Sequence, residues 1–287
     1  MKSIEQIHRS SSSHWVGNGF PVRSVFDYNG LGRQLSPFLL MDYAAPHEFP
    51  PGDERRGVGA HPHKGFETVT IVYQGELEHR DSSGAGGLIG PGDVQWMTAG
   101  RGIIHDEFHS PGFTKNGGTL EMVQLWVNLR SVDKNAAPGY QTLASSEIPT
   151  VPLDGAKGKM RIIAGSFGGT SGPARTFSEM NLWDIVSTGD DRVRLPSTEG
   201  HTAALLVLEG VATFDQGREA GPGSLAVFSR TGDALEWHAK AGSRYLFLGG
   251  EPMNEPIVGH GPFVMNTADE IQQAFAEFRA GAFGDLA

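Results

Sequence analysis

Two short motifs, His61-x-His63 and His105-x-Glu107, constrain the fold of this chain more than any other feature of its sequence. Side chains two residues apart on a β-strand point to the same face of the strand. Each motif can therefore direct both of its side chains to a single point, provided that it lies on a strand. Two such strands that meet across a barrel would bring three imidazoles and one carboxylate together. The spacing thus predicts a metal site inside a β-barrel.

The predicted donor set, three neutral nitrogens and one carboxylate oxygen, suits a divalent first-row metal such as Fe, Mn, Co, Ni, Cu or Zn. The sequence contains no cysteine, so no thiolate favours Zn or Cu(I). If the metal is six-coordinate, four protein ligands leave two positions open. Those positions suit O2 and a chelating substrate, or two waters.

Three further residues of the same segment are candidates for the surroundings of the metal. Glu67 follows His63 by four residues and shares its face if the strand continues. It would then be a further ligand, an acceptor that fixes an imidazole, or a buried carboxylate held by hydrogen bonds. His79 and His109 are predicted to lie beside the ligands or at the rim of the site rather than to bind the metal.

The chain as a whole predicts an all-β protein with two similar barrels. Its 40 glycines and 17 prolines are typical of a turn-rich β protein. Residues 203–214 repeat the pattern of residues 68–80, in which an apolar strand is followed by a glycine and a second strand. Residues 221–228 (GPGSLAVF) repeat residues 90–97 (GPGDVQWM) in the same way. An internal repeat of this kind indicates two β-barrels of one plan.

The predicted division between the two barrels lies where the strand pattern breaks, at residues 133–140 (DKNAAPGY). We therefore predict an N-terminal, metal-binding domain over residues 1–137 and a C-terminal domain over residues 138–287. Both metal motifs fall in the N-terminal domain.

The C-terminal domain lacks the equivalent ligands. The repeat places Pro196 and Thr198 at the positions of the first histidine pair, so both imidazoles are missing there. At the positions of the second motif it places Glu236 and His238, in reversed order and without a complementary pair. We therefore predict no metal site in the second barrel.

A single helix is predicted at the C-terminal end of the chain. Thr267 and Glu270 form a capping-box pattern, and Gly281 can end the helix. One stripe of the helix is apolar and should pack on a barrel or in the groove between the domains; it consists of Ile271, Phe275 and Phe278.

Composition excludes several functional classes. The formal net charge of -10 argues against direct binding to nucleic acid, which depends on lysines and arginines that neutralise phosphates. No apolar run reaches membrane-spanning length, and the N-terminus lacks a signal-peptide pattern, so no membrane association is predicted. These features, together with the absence of cysteine, predict a cytoplasmic protein.

Five stretches of the sequence resemble the pirin family, a branch of the cupin superfamily. They are residues 61–70 (HPHKGFETVT), 91–100 (PGDVQWMTAG), 102–107 (GIIHDE), 36–43 (SPFLLMDY) and 261–267 (GPFVMNT). Together they extend over nearly the whole chain. The resemblance implies an all-β fold of two tandem cupin domains, each a jelly-roll β-sandwich or barrel, with a C-terminal helix.

The resemblance also implies a ligand set and a metal. Carried over by position, the iron ligands of the family fall on His61, His63, His105 and Glu107. Fe(II) is then the expected cofactor, with Cu, Ni, Mn, Co and Zn as alternatives. The position of Glu67 holds a ligand in many other cupins but usually not in pirins.

Two functions follow from the resemblance. Some bacterial members resemble flavonol dioxygenases that open quercetin with O2 and release carbon monoxide. The substrates would then be a flavonol and O2, and Glu107 or Glu67 would accept the proton of the 3-hydroxyl.

The alternative follows a eukaryotic member described as an iron-dependent transcriptional co-regulator. The chain would then be a non-catalytic redox sensor, and its acidic balance would favour a basic protein partner over DNA. A sugar isomerase of the cupin type is disfavoured, because no cluster of Lys and Arg for a phosphate accompanies the ligands.

Overall fold

The structure of the protein, a computed structural model, describes residues 1–9 and 12–286 and consists mainly of β-strands. The strands are, in chain order, β1 (Ile4–Arg9), β2 (His14–Val16), β3 (Phe20–Phe26), β4 (Phe38–Phe49), β5 (Gly57–His63), β6 (Phe66–Gln74), β7 (Leu77–Asp81), β8 (Gly86–Ile89), β9 (Val94–Thr98), β10 (Ile103–His109), β11 (Gly118–Asn128), β12 (Gly139–Leu143), β13 (Thr150–Pro152), β14 (Gly158–Ala164), β15 (Ser166–Phe167), β16 (Thr170–Ser171), β17 (Met180–Ser187), β18 (Asp191–Pro196), β19 (Thr202–Glu209), β20 (Ala212–Thr213), β21 (Glu219–Ala220), β22 (Ser224–Phe228), β23 (Ala234–Ala239), β24 (Arg244–Gly250), β25 (Val258–His260) and β26 (Phe263–Met265). The helices are α1 (Pro111–Asn116) and α2 (Ala268–Arg279), with 3-10 turns at Leu31–Arg33 and Asp215–Gly217.

The N-terminal unit comprises Ser12–Arg33, Phe38–Ser145 and Asn254–Ala287. It contains a seven-stranded sheet in the order β12-β9-β6-β11-β4-β3-β2 and a four-stranded sheet in the order β5-β10-β7-β8. The central strand β6 (FETVTIVYQ) is rich in β-branched residues and is buried over its first seven positions. Side chains on both faces of β6 are therefore covered by other parts of the protein.

The C-terminal unit comprises Met1–Ser11, Gln34–Pro37 and Ser146–Met253. It repeats the plan, with a seven-stranded sheet in the order β1-β22-β19-β24-β17-β14-β13 and a four-stranded sheet in the order β18-β23-β20-β21. Its core combines aliphatic residues with packed aromatic rings, whose centroids are 5.0 Å apart for Trp183 and Phe247 and 5.4 Å apart for Trp237 and Tyr245. The predicted all-β fold with two similar halves is confirmed.

The two units are not the two contiguous halves, 1–137 and 138–287, that the sequence suggests. Strand β1 pairs with β22, so the first strand of the chain belongs to the C-terminal unit. Strand β12 pairs with β9, and the segment from Asn254 onward also belongs to the N-terminal unit. The pairing of β1 with β22 joins residues more than 200 positions apart and leaves no local pattern in the sequence, so the position of β1 could not be predicted.

Helix α2 begins and ends as predicted. The Thr267 hydroxyl accepts from the Glu270 backbone N–H, and the Glu270 carboxylate accepts from the Thr267 backbone N–H. The apolar stripe packs around Phe263 of β26, whose ring centroid lies 4.8 Å from that of Phe275 and 6.2 Å from that of Phe278. Among the described residues, no helix has both the length and the apolar character that crossing a membrane requires.

A buried lysine joins three segments of the N-terminal unit. The Lys134 ammonium donates to the Gly65 carbonyl at 2.8 Å, to Asn128 Oδ1 at 2.8 Å and to the Val264 carbonyl at 2.9 Å. Its side chain is 1% exposed, and burial lowers its pKa from 10.5 to about 7. All three donors of the ammonium are thus satisfied by neutral oxygens. The charges of Glu255 and Glu270 act to raise the pKa of Lys134, but burial outweighs them.

We expect Lys134→Met to lower the free energy of unfolding by about 1–3 kcal/mol, because three buried oxygens lose their donor. The pH dependence provides a second test. Since the folded-state pKa of Lys134 is about 7 and its ordinary value is 10.5, the unfolded chain binds more protons between these values, and the stability contribution of Lys134 should rise with pH across that window. Chemical denaturation at pH 6, 8 and 10 would measure this. The rise should be smaller in Lys134→Met than in the wild type and unchanged in Lys115→Met, which alters an exposed lysine of α1.

Candidate metal centre

Three histidine side chains converge where β5 and β10 pair. The strands are antiparallel, and His105 lies directly opposite His61 in their register. The ring centroids are 4.2 Å apart for His61 and His105, 4.9 Å for His61 and His63, and 4.8 Å for His63 and His105. One potential ligand atom of each ring lies within 4.8 Å of those of the others. The structure therefore brings together the three histidines identified from their spacing.

The two innermost rings carry nitrogen atoms with no hydrogen-bond partner among the described residues. His63 is 4% exposed and His105 is 0% exposed, and the unpartnered atoms are His63 Nδ1 and His105 Nε2. Burial lowers the pKa of both rings well below the ordinary value, and the neighbouring imidazoles lower it further. Both rings are therefore neutral, and a neutral imidazole with an unused lone pair is the form that binds a metal.

Glu107 extends the cluster along β10. Its ligand atom groups with those of His79 and His105, so the two sets of residues overlap at His105. The Gln124 amide donates to both carboxylate oxygens, at 3.2 and 3.0 Å, and the Thr70 hydroxyl donates to Oε1 at 3.4 Å. Burial raises the pKa of Glu107, while His61, Gln124 and Thr70 act in the opposite direction. The result is a buried carboxylate that is held in place and is more basic than an exposed one.

His79 contacts the cluster from β7. Its Nε2 atom lies 2.6 Å from His105 Nδ1, and its ring stacks on that of Tyr140 at 5.3 Å and 22°. Burial lowers the pKa of His79 to about 3, so this ring is also neutral. The predicted place of His79, beside the ligands, agrees with this contact.

Glu67 does not join the cluster, contrary to the parity argument. Strand β5 ends at His63 and β6 begins at Phe66, and Gly65 turns between them with a φ of +89°. A Cβ atom at Gly65 would lie 2.1 Å from the Val264 carbonyl oxygen, so the turn requires glycine. The strand therefore does not continue, and residue parity is not preserved across the break.

The face of β6 on which Glu67 lies follows from its partners. Thr70 lies three residues after Glu67, and the pairing of β6 with β9 has no register shift between them. The Thr70 hydroxyl donates to Glu107, so Glu67 faces the opposite side of the sheet. There it accepts a hydrogen bond from the Thr98 hydroxyl at 2.7 Å. Burial raises the pKa of Glu67 to about 7, although the hydrogen bond from Thr98 acts to lower it. The prediction that Glu67 acts at the metal as a catalytic base is therefore not supported by its position.

His109 also lies away from the three-histidine cluster. It is 1% exposed, its Nε2 donates to the Gly19 carbonyl at 2.9 Å, and its ring packs edge-on against Phe49 at 4.6 Å. Its environment is an aromatic core rather than the rim of the metal site.

An aromatic wall flanks the cluster. Trp126, on the same face of β11 as Gln124, is partly exposed and lies edge-on to His63 with centroids 5.2 Å apart. The rings of Phe66 and Tyr28 stack on the indole, with centroids 4.2 and 6.4 Å from it. The wall therefore places aromatic surface next to His63.

Several of these residues were not identified from the sequence. Thr70, Gln124, Trp126 and Tyr140 reach the cluster only because β6, β11 and β12 pair around it. The alternation of β11 identifies which residues share a face, but it does not show that this face is directed at the histidines.

The donor set fits a resident divalent metal. Three imidazoles converge and Glu107 lies beside one of them, His105. Among the described residues, two of the ring nitrogens, His63 Nδ1 and His105 Nε2, are buried without a hydrogen-bond partner. Nitrogen and oxygen donors of this kind suit the first-row divalent ions.

The chain matches two protein-family models and is similar in sequence to known proteins over nearly its whole length. The family model Pirin matches residues 19–127, and the model Pirin C-terminal cupin domain matches residues 182–284. A Pseudomonas aeruginosa protein provisionally named quercetin 2,3-dioxygenase is 54% identical over 285 residues, which cover 99% of each chain. Mouse pirin is 38% identical over 253 residues, covering 86% of this chain and 82% of its own.

A solved structure shares the fold over the same length. The crystal structure of a quercetin 2,3-dioxygenase from Acinetobacter baumannii superposes with a TM-score of 0.96 at 48% identity, and the match covers 99% of both chains. The fold described above is therefore that of two cupin domains followed by a helix.

We expect the addition of a divalent first-row metal to raise the thermal midpoint of the metal-free protein, because the metal binds the folded cluster and not the unfolded chain. At a hundredfold excess over the dissociation constant, the gain of about 2.7 kcal/mol corresponds to a shift of roughly 5–10 °C. Scanning fluorimetry would measure the shift. It should be lost in His61→Ala and retained in His14→Ala, which removes an exposed histidine. An equal shift in both variants would contradict binding at the cluster.

Proposed function

The chain belongs to the pirin family, and from that premise we propose that it is a flavonol 2,3-dioxygenase that uses Fe(II) and O2 and acts on quercetin or a related flavonol. The observation that carries the proposal is the cluster of His61, His63 and His105, with the Glu107 carboxylate beside His105 and the indole of Trp126 beside His63. The names of the two close bacterial relatives point to the same reaction.

In this proposal His61, His63, His105 and Glu107 hold the metal. Bound Fe(II) would supply a Lewis acid for the 3-hydroxyl and 4-carbonyl oxygens of the flavonol and a one-electron couple for reaction with O2. The partly exposed ring of His61 marks the side of the cluster that is open to a substrate. The buried rings of His63 and His105 form the closed side, from which water is excluded.

Glu107 is the proposed acceptor of the proton from the 3-hydroxyl. Burial raises its pKa, so its carboxylate is a better base than an exposed glutamate. The Gln124 amide holds both of its oxygens, and an oxygen that releases the metal would remain fixed beside the substrate. Glu67 has no part in this step, because it lies on the opposite face of β6.

Trp126 is the proposed surface for the flavonol ring system. The indole stacks with the rings of Phe66 and Tyr28, so a change of its rotamer would disrupt both contacts. A planar aromatic substrate that binds the metal near His63 would meet this indole.

The direct test is anaerobic reconstitution with Fe(II), followed by quercetin and air, with the flavonol absorption band and released carbon monoxide as readouts. We expect stoichiometric consumption of quercetin with carbon monoxide release. In His61→Ala the rate should fall by at least about a hundredfold, because an inner ligand of the metal is lost. His14→Ala serves as the matched control and should retain full activity. Stoichiometric iron with no consumption of flavonol would refute the proposal.

The second test concerns the aromatic wall. We expect Trp126→Ala to raise KM for quercetin roughly three- to tenfold, the loss of one aromatic contact, with metal content unchanged. Trp126→Phe keeps a ring at the same place and should lie close to the wild type. Steady-state kinetics of metal-quantified samples would measure both. An unchanged KM in Trp126→Ala would show that the substrate binds elsewhere around the cluster.

A further inference from the structure

His79 and His105 form a hydrogen-bonded pair of imidazoles at the base of the cluster. His79 Nε2 lies 2.6 Å from His105 Nδ1, and the two residues are 1% and 0% exposed. At that distance one nitrogen carries the hydrogen and the other accepts it, since two lone pairs would repel. The pair comes from neighbouring strands, β7 and β10, whose backbones are already joined by sheet hydrogen bonds.

The direction of this hydrogen bond follows from the position of the other nitrogen of His105. His105 Nε2 has no partner among the described residues, and His105 groups with His61 and His63 through a potential ligand atom. A nitrogen that binds a metal must present a lone pair, so in a neutral ring the hydrogen must lie on Nδ1. His105 Nδ1 is then the donor and His79 Nε2 the acceptor.

We propose that His79 is a positioning residue that fixes the tautomer and ring orientation of His105, so that Nε2 of His105 is the metal-binding atom. This inference rests on the proposed role of His105 as a ligand. With Nε2 of His79 as the acceptor, the hydrogen of this neutral ring lies on Nδ1, which has no partner among the described residues. Neither nitrogen of His79 then has a lone pair free for the metal, so His79 is not itself a ligand in this assignment. Tyr140 stacks on the His79 ring and keeps the acceptor aimed at His105.

His61, the partly exposed histidine of the cluster, differs from His105 in the partner of its Nδ1 atom. His61 Nδ1 lies 2.9 Å from the Gly59 carbonyl oxygen, which can only accept, so the hydrogen is on Nδ1. A backbone carbonyl is a common partner for a ligating imidazole. At His105 a side chain has that role, and it can therefore be removed by mutation.

The test compares three variants of His79 by their affinity for Co(II), measured in competition with a chelator, and by the visible spectrum of bound Co(II). In His79→Gln the amide oxygen can reach the place of Nε2 and accept from His105. In His79→Leu no acceptor remains. In His79→Asn the side chain is polar but too short to reach His105, which separates loss of the acceptor from burial of an apolar group.

We expect the affinity for Co(II) to fall about 10- to 100-fold in His79→Leu and His79→Asn, with an altered spectrum, and to stay within a few fold in His79→Gln. The thermal midpoint of each metal-free variant controls for general damage to the fold. Equal affinity of His79→Leu and the wild type, or an equal loss in all three variants, would overturn the proposal.

A second measurement tests the tautomer directly in the wild type. In 15N-histidine-labelled protein loaded with diamagnetic Zn(II), long-range 1H–15N correlations should show hydrogen on Nδ1 of His105 and metal at Nε2. Metal at Nδ1 would overturn the proposal. Neither readout involves a flavonol, so absence of flavonol turnover would refute the proposed reaction and leave this inference standing.

Discussion

The antiparallel pairing of β5 with β10 is the contact on which the candidate metal centre depends. It places His61 opposite His105, with His63 on the same strand two residues along. Neither strand could hold the cluster alone, since β5 supplies two of the proposed ligands and β10 the other two. A slip of one residue would turn the imidazoles of one strand to the other face, so the cluster requires this register. Burial then determines the chemistry, because a desolvated imidazole stays neutral and keeps its lone pair for a cation.

Much of this centre could be predicted from the sequence, because alternation on a strand is a local property. The two motifs identify His61, His63, His105 and Glu107 without reference to the rest of the chain. Glu67 does not share the face of His63, because the strand does not continue through Gly65. A positive φ at one glycine reverses which side chains share a face. The contacts of His79, Gln124 and Trp126 with the cluster were also out of reach, since they depend on which strands pair.

The C-terminal unit has the same arrangement of seven-stranded and four-stranded sheets, and its core combines aliphatic residues with the aromatic rings of Trp183, Phe247, Trp237 and Tyr245. Among the described residues, both groups that could hold a metal lie in the N-terminal unit. Aromatic rings that pack at about 5 Å give the stabilising contact area that an apolar core needs. A cluster of buried imidazoles gives up such packing, so its presence in the N-terminal unit points to chemistry rather than stability.

The C-terminal segment of the chain contacts residues next to β5, β7 and β10, the strands that carry the histidine cluster. Lys64, between His63 and Gly65, donates to the Arg101 carbonyl at 2.8 Å and pairs with Glu277 of α2 at 2.9 Å. The Ser82 hydroxyl donates to the Phe283 carbonyl at 2.6 Å. The Phe283 ring fits against Gly102, where a Cβ atom would lie 2.2 Å from it. These contacts reach the residues just after β5, just before β10 and just after β7, the three strands that carry the four histidines of the site. A segment about 200 residues away in sequence therefore limits how far those strands can move. These contacts explain why the segment from Asn254 onward belongs to the unit that contains the candidate metal centre.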